Sequence, residues 1–242
     1  MKRCLMGILF LFCLPYFSKS QNTHQNTAWF VYSHNQKISD KWSIGAEFQL
    51  RTAHDYNYVK GIVFKPIINY SLNKKLSLGV GYIYQQNYLR PVITKSRLNE
   101  NAIWEQVAYN AKFNSISVLN RFRLEQRFIE QLNDNIFSER LRYTLQLQIP
   151  LQKLNDQKFE KVFYLGIQNE VFFNIQHKKQ LNNHFFDQNR AYLSLGYRFS
   201  PSVDLESGYL NQSLKNKNDN YTINDVAEVI LKTRFGTRHH LH

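Results

Sequence analysis

Between residues 115 and 150 the sequence SISVLNRFRLEQRFIEQLNDNIFSERLRYTLQLQIP alternates polar and apolar positions over two long runs. In the first run Ile116, Val118, Phe122, Leu124 and Phe128 share one side, and Ser117, Arg121, Arg123, Glu125 and Arg127 share the other. In the second, Leu141, Tyr143, Leu145, Leu147 and Ile149 oppose Arg140, Arg142, Thr144, Gln146 and Gln148. Successive side chains of a strand point to opposite faces, so each run predicts a β-strand with one apolar and one charged surface. Strands in soluble sheets usually have about five or six residues, whereas these runs have about a dozen, the length of a tilted strand that crosses a bilayer. An apolar face toward lipid and a polar face toward a lumen reconcile the two surfaces, which is the arrangement of a transmembrane β-barrel.

The same period of two recurs along the chain. Residues 42–51 set Trp42, Ile44, Ala46, Phe48 and Leu50 against Ser43, Gly45, Glu47, Gln49 and Arg51, and residues 62–72 place Ile62, Phe64, Ile68, Tyr70 and Leu72 outward. Residues 76–88, 103–113, 162–175, 190–199, 203–214 and 226–235 continue the series, while 29–34 has aromatics at both parities. Connections alternate between short turns, such as Asn73-Lys74-Lys75 and Ser200-Pro201-Ser202, and longer polar loops, such as 89–102 and 176–188. The expected fold is all-β: an antiparallel up-and-down transmembrane barrel with ten to twelve strands. Eleven are counted, but bacterial single-chain barrels usually have an even number, so twelve is favoured. The odd count means a missed strand, a segment 21–27 threaded through the lumen, or a first strand that is not part of the full wall. Two aromatic girdles are expected, with Trp42, Tyr70, Phe113, Phe199 and Phe235 near the turns and Tyr84, Tyr88, Trp104 and Tyr209 toward the loops.

Residues 1–20 stand apart from this pattern. Lys2 and Arg3, an apolar stretch from Leu5 to Leu14, and Ser18-Lys19-Ser20 have the layout of a cleaved secretory signal peptide, leaving residues 21–242 as a single barrel domain. Both cysteines, Cys4 and Cys13, fall in that segment, so the remainder offers no disulfide and no thiolate site. Losing Lys2, Arg3 and Lys19 lowers the formal charge from +13 to +10. The cations occur at strand spacing without a recognition helix or an RNA-binding signature, which argues against nucleic acid as a partner. After residue 20 no apolar run reaches the roughly 18 residues a helical membrane span needs.

Three stretches support a family resemblance. NRFRLEQR at 120–127, RLRYTLQLQIPL at 140–151 and KPIINYSLNKKLSLGVGY at 65–82 resemble the domain-of-unknown-function family 2490. The resemblance covers nearly all of the chain after residue 20. It implies a bacterial outer-membrane β-barrel and supplies no activity, cofactor or catalytic residue.

By parity, twelve cations face inward (Arg51, Lys65, Lys112, Arg121, Arg123, Arg127, Arg140, Arg142, Arg190, Arg198, Lys232, Arg234) against Glu47, Glu125, Glu170, Asp204, Glu206 and Glu228. The candidate lumen cluster is Arg51, Arg121, Arg123, Glu125, Arg127, Arg140, Arg142, Glu170, Arg198 and Glu206. Rings of arginine and lysine line anion pores, but arginine–carboxylate networks also fill and brace narrow barrels. Bracing is the better reading at this strand number, with a narrow anion-biased passage beside it. His34, His54, His177 and His184 accompany no nucleophile, metal or paired-cysteine motif, so no catalytic residue, metal or cofactor is assigned. An outer-membrane enzyme acting on lipid or surface glycan is the alternative from another class. Residence in the outer membrane of a Gram-negative-type bacterium would make membrane lipid and lipopolysaccharide partners, with the barrel-assembly machinery acting at insertion. The loop cations Arg90, Lys95, Arg97, Lys178, Lys179, Lys215 and Lys217 and the tail His239, His240 and His242 complete the inventory.

Overall fold

The computed structural model describes residues 22–90, 96–152 and 161–236. The expected signal segment 1–20, Lys95 and the histidine tail lie outside the described residues. Eleven strands follow in order: β1 Thr23–Lys37, β2 Trp42–Thr52, β3 Val59–Ser71, β4 Leu76–Tyr88, β5 Arg97–Phe113, β6 Ile116–Glu130, β7 Asn135–Pro150, β8 Val162–Asn174, β9 Phe186–Ser200, β10 Val203–Lys215 and β11 Tyr221–Phe235. Each strand pairs antiparallel with its neighbours in sequence, and β1 pairs with β11 to close the barrel.

Closure explains the odd count. In a meander of eleven strands the first and last run the same way, so the seam must be parallel, and β1 lies beside β11 in register from Thr23↔Thr222 to Gln36↔Phe235. The number falls within the expected ten to twelve, and the favoured even number is not needed once a parallel pair closes the wall. Residues 23–27 are wall strand and do not thread the lumen.

On its other edge, β1 pairs with β2 only from Trp29↔Arg51 onward. The amides of Asn26 and Ala28, left without a strand partner, donate to His54 Nδ1 at 3.1 Å and to Thr52 Oγ1 at 2.8 Å. A free sheet edge is a row of unpaired backbone groups, and here two side chains satisfy it.

Following paired residues from Asn35 through Gly45, Ile67, Gly81, Trp104, Glu125 and Arg140 to Asn174 climbs from the turn end of β1 to the loop end of β8. That stagger is what tilted strands in a closed barrel require. Connections at one end are mostly tight, the exception being 151–161 between β7 and β8; Asn114-Ser115 and Pro201-Ser202 have two residues each, and Asn114 takes a φ of 52° that asparagine tolerates. Those at the other end include 53–58, 175–185 and 216–220.

Polarity is inverted relative to a soluble protein. Phe30, Phe48, Phe64, Ile68, Val80, Ile103, Phe122, Phe128, Leu193, Leu195 and Tyr209 are exposed on the outer surface, while Arg123, Glu125, Arg140, Arg142, Thr144, Glu170, Asp204 and Glu206 are buried. Buried charge and a broad exposed apolar surface are the informative departures from ordinary surface composition.

Parity also corrects one expectation. Trp104 is not in a girdle; it is 1 % exposed and faces inward, because Ile103 takes the outward position on β5. It packs with Val63, Ile83 and Ala102, opposite a second interior cluster of Trp29, Tyr192, Leu210 and Val226. Trp104 lies against Gly81 and Tyr164 lies against Gly196, where an added Cβ would collide with each ring. We therefore expect Gly81→Ala and Gly196→Ala each to lower unfolding stability by about 1–3 kcal/mol through overpacking. Gly236→Ala, with nothing within 4 Å of an added Cβ, should leave the urea midpoint of the folded barrel unchanged.

Candidate functional site

The interior charges are placed by strand periodicity. Positions 121, 123, 125 and 127 of β6 and 138, 140, 142 and 144 of β7 share the inner face, and the register sets Glu125 directly opposite Arg140. Arg140 donates from Nε and Nη2 to Glu125 Oε2 at 2.8 Å and 2.6 Å. Arg142 Nη2 lies 2.5 Å from the other carboxylate oxygen, and Arg123 Nη1 is 4.0 Å from it. Glu125 has no exposed surface. A carboxylate removed from water is tolerated only when cations and hydrogen bonds replace its hydration, and three arginines do so here.

The network extends in both directions. Toward the loops, Arg140 also reaches Asp187 at 3.1 Å, and Arg127 holds Glu100 with two bonds of 2.6 Å and 3.0 Å, the forked geometry that suits guanidinium to carboxylate. Toward the turns, Glu170 accepts from Thr144 Oγ1 at 3.0 Å and Arg121 Nη2 at 3.4 Å, with Arg142 and Arg190 at 3.8 Å. Aromatic faces carry the remaining positive charge. Arg140, Arg142 and Arg190 lie over Phe172, Arg51 and Arg190 over Trp29, and Arg123 sits 3.7 Å from the Trp104 ring centre.

A separate group occupies the turn end. Glu206 accepts from Tyr164 at 3.0 Å, Ser194 at 2.9 Å and Lys232 at 2.6 Å, and Asp204 pairs with Arg198 and Arg234. On β2 and β3, Lys65 donates to Glu47 at 2.7 Å.

Of the ten cluster residues read from the sequence, Arg121, Arg123, Glu125, Arg140, Arg142 and Glu170 form one connected network. Arg127 lies just above it on Glu100. Arg51 stands apart, bonded to Gln49 and stacked on Trp29. Arg198 and Glu206 belong to the turn-end group. Sequence reading missed Glu100 and Asp187 because both were placed in loops, whereas β5 begins at Arg97 and β9 at Phe186. It also missed the rings of Trp29, Trp104 and Phe172 that carry the arginines. A signal for Glu100 was present, since it shares the parity of Trp104 on a run that continues past residue 103.

A cavity of about 350 Å³ lies in the turn-side half, where Asn35, Gly45, Asn69, Gln146 and Lys232 are among its lining residues. A groove of about 490 Å³, lined by Lys74, Lys75, Lys112 and Gln148, shares Gln146 with it at the turn end. Among the described residues, the loop-side interior holds the Arg140 pairs with Glu125 and Asp187 and the Arg127–Glu100 pair. Residues 175–185 fold back over the wall, and the buried Asn182 accepts from Asn174 at 3.0 Å and donates to the carbonyls of Phe186 and Lys215. At the rim, the Lys215 ammonium hydrogen-bonds with the Asp219 carboxyl and holds it below its ordinary range. Among the described residues no group of three or more His, Cys, Asp or Glu is arranged to hold a metal ion.

A family model described as "Protein of unknown function (DUF2490)" matches residues 26–222. An uncharacterized protein of Methylorubrum extorquens is 25% identical over 191 residues, which cover 78% of this chain and 79% of that protein. No solved structure matches.

Glu125 is the point where the network can be broken. Glu125→Gln leaves Arg140 and Arg142 buried with a neutral partner, and we expect a loss of about 3–5 kcal/mol in unfolding stability. Glu105→Gln, on the outer face with a single bond from Gln126, should change it little in the same urea titration.

Proposed function

We propose, from the premise that this chain belongs to the family of proteins of unknown function DUF2490, that it is an integral outer-membrane β-barrel with an interior braced by arginine–carboxylate pairs, not an open channel. The observation that carries this reading is the outer surface: apolar and aromatic side chains are exposed on strand after strand, while the charges sit inside. In water such a surface would drive aggregation; in a bilayer it is the surface that lipid requires. Strand length agrees. The 13 residues of β3, at about 3.4 Å each and tilted by about 40°, rise roughly 34 Å, enough to carry an apolar band about 25 Å tall.

The tight turns face the periplasm and the longer loops face outward in this reading, as in other outer-membrane barrels. The turn-side cavity is then a blind vestibule open to the periplasm. Glu125, Arg140 and Phe172 lie above it. Six of its lining residues are lysine or arginine and four are carboxylates, so whatever enters is selected for negative charge.

Location and orientation can be read together. The protein should remain in the membrane pellet after alkaline extraction and change gel mobility on heating; recovery in the soluble fraction would sink the proposal. With Cys4 and Cys13 gone with the signal segment, Asn218→Cys and Lys74→Cys each supply a single thiol. On intact cells a membrane-impermeant maleimide should label the first, in the loop joining β10 and β11, and should reach the second, in the β3–β4 turn, only after permeabilisation.

A further inference from the structure

The cations of the vestibule are not equally neutralised. Glu47 is taken by Lys65 and Glu206 by Lys232, while Arg142 is bound to Glu125. That leaves Arg121, Arg123 and Arg190, with nearest carboxylate oxygens at 3.4 Å, 4.0 Å and 3.8 Å. Charge-assisted pairs normally close to about 2.7–2.9 Å, so all three guanidinium groups are under-compensated. Arg190 gains the neutral amide oxygen of Gln212 when that side chain is turned toward it, which adds a bond but no charge.

Donors are left over as well. Nε of Arg121 and of Arg123 and the indole N–H of Trp104 are buried without a hydrogen-bond partner among the described residues. Trp104 and Tyr192 are themselves at least nine-tenths buried, and both line the cavity. Glu228, the fourth lining carboxylate, has no ion pair within 4.0 Å among the described residues and offsets part of the field, yet cations still outnumber acids by six to four.

The remainder of the lining is mixed, with polar Ser33, Asn35, Gln49, Asn69, Gln106 and Gln168 beside the apolar groups. Trp29, Val31, Ile67, Trp104, Leu210 and Ile230 give flat and aliphatic walls beside the guanidinium groups. A volume of about 350 Å³ is at the lower end of small-molecule sites and too small for a polymer. Arginine matches the planar fork of a carboxylate or phosphate oxyanion.

We propose that the vestibule is a binding site for a small organic oxyanion bearing a ring. The ligand enters from the turn side, its charged head meets Arg121, Arg123 and Arg190, and its ring lies against Trp104, Tyr192 and Trp29. This rests on the barrel reading but not on the membrane location, because the site is formed by the inner wall alone. Binding within a blind chamber implies capture from the turn-side compartment without transfer to the other side.

The chain contains three tryptophans. Trp29 and Trp104 line the cavity and Trp42 is exposed outside, so intrinsic emission reports occupancy. Barrel folded in detergent and verified by its heat-dependent gel shift is titrated with phenyl phosphate, inorganic phosphate and benzyl alcohol. Phenyl phosphate should give a saturable change, with weaker binding of inorganic phosphate and none of the uncharged alcohol. Arg121→Gln should weaken phenyl phosphate by about tenfold or more, as truncating one partner of a buried charge contact does; Lys74→Gln should not. If Arg121→Gln fails the gel-shift check, Arg121→Lys, which keeps the charge and loses the fork, should fold and still bind more weakly than the parent. A folded parent barrel that gives no saturable change, or equal affinity in the Arg121 variants, overturns the inference while leaving the barrel reading intact. Equal affinity for inorganic phosphate overturns the part assigned to the ring.

Discussion

An ionised carboxylate with no exposed surface cannot be left without partners, and that constraint organises the interior around Glu125. Two arginines from β7 and one from β6 close on it, and each then has to be placed beside something that tolerates positive charge. Arg140 shares Asp187, Arg142 leans toward Glu170, and Arg123 stacks on Trp104. Arg142 and Arg190 lie over the ring of Phe172, and Arg51 and Arg190 over that of Trp29, whose π-faces attract positive charge. Gly81 follows from the same chain of needs, since only a residue without a side chain lets the Trp104 ring lie flat against the wall. One buried acid thus sets demands on β4, β5, β6, β7, β8 and β9.

The outer surface and the seam complete the account. Inward charges are compatible with a stable wall because the outward positions are apolar and the strands close into a barrel. An odd strand number threatens that closure, and the parallel pairing of β1 with β11 meets it. Where β1 outruns β2, side chains of Thr52 and His54 take the stray amides. The consequence for function is asymmetry. Among the described residues, Asn174, Asn182 and the Arg140 network pack together toward the loops, and a cavity lies toward the turns.

Much of the fold was legible in the sequence because the strand period is short and the two faces differ so sharply in chemistry. From Arg121 to Arg127 every second residue is charged, which leaves no freedom about which side is buried. Reading failed where the pattern weakens. In β1 both parities hold aromatics, so the inward direction of Trp29 could not be read. In β5 and β9 the strands continue past the last clear alternation, which hid Glu100 and Asp187 among polar loop residues. Which arginine meets which acid was also out of reach, since it depends on register between strands, and a slip of one residue would turn every side chain to the other face. The strand number was counted correctly, but its parity was doubted, because a parallel seam leaves no mark in a hydrophobic pattern.

The central claim is that the loop half of this barrel is closed by its own side chains. Recording from single purified barrels in a planar lipid bilayer tests it most directly. The account predicts insertion without a steady ionic current, because the path ends beneath Glu125, Arg140 and Phe172. A stable conductance with anion-over-cation reversal potentials in the unaltered protein would contradict it, and would mean that the arginines line a passage.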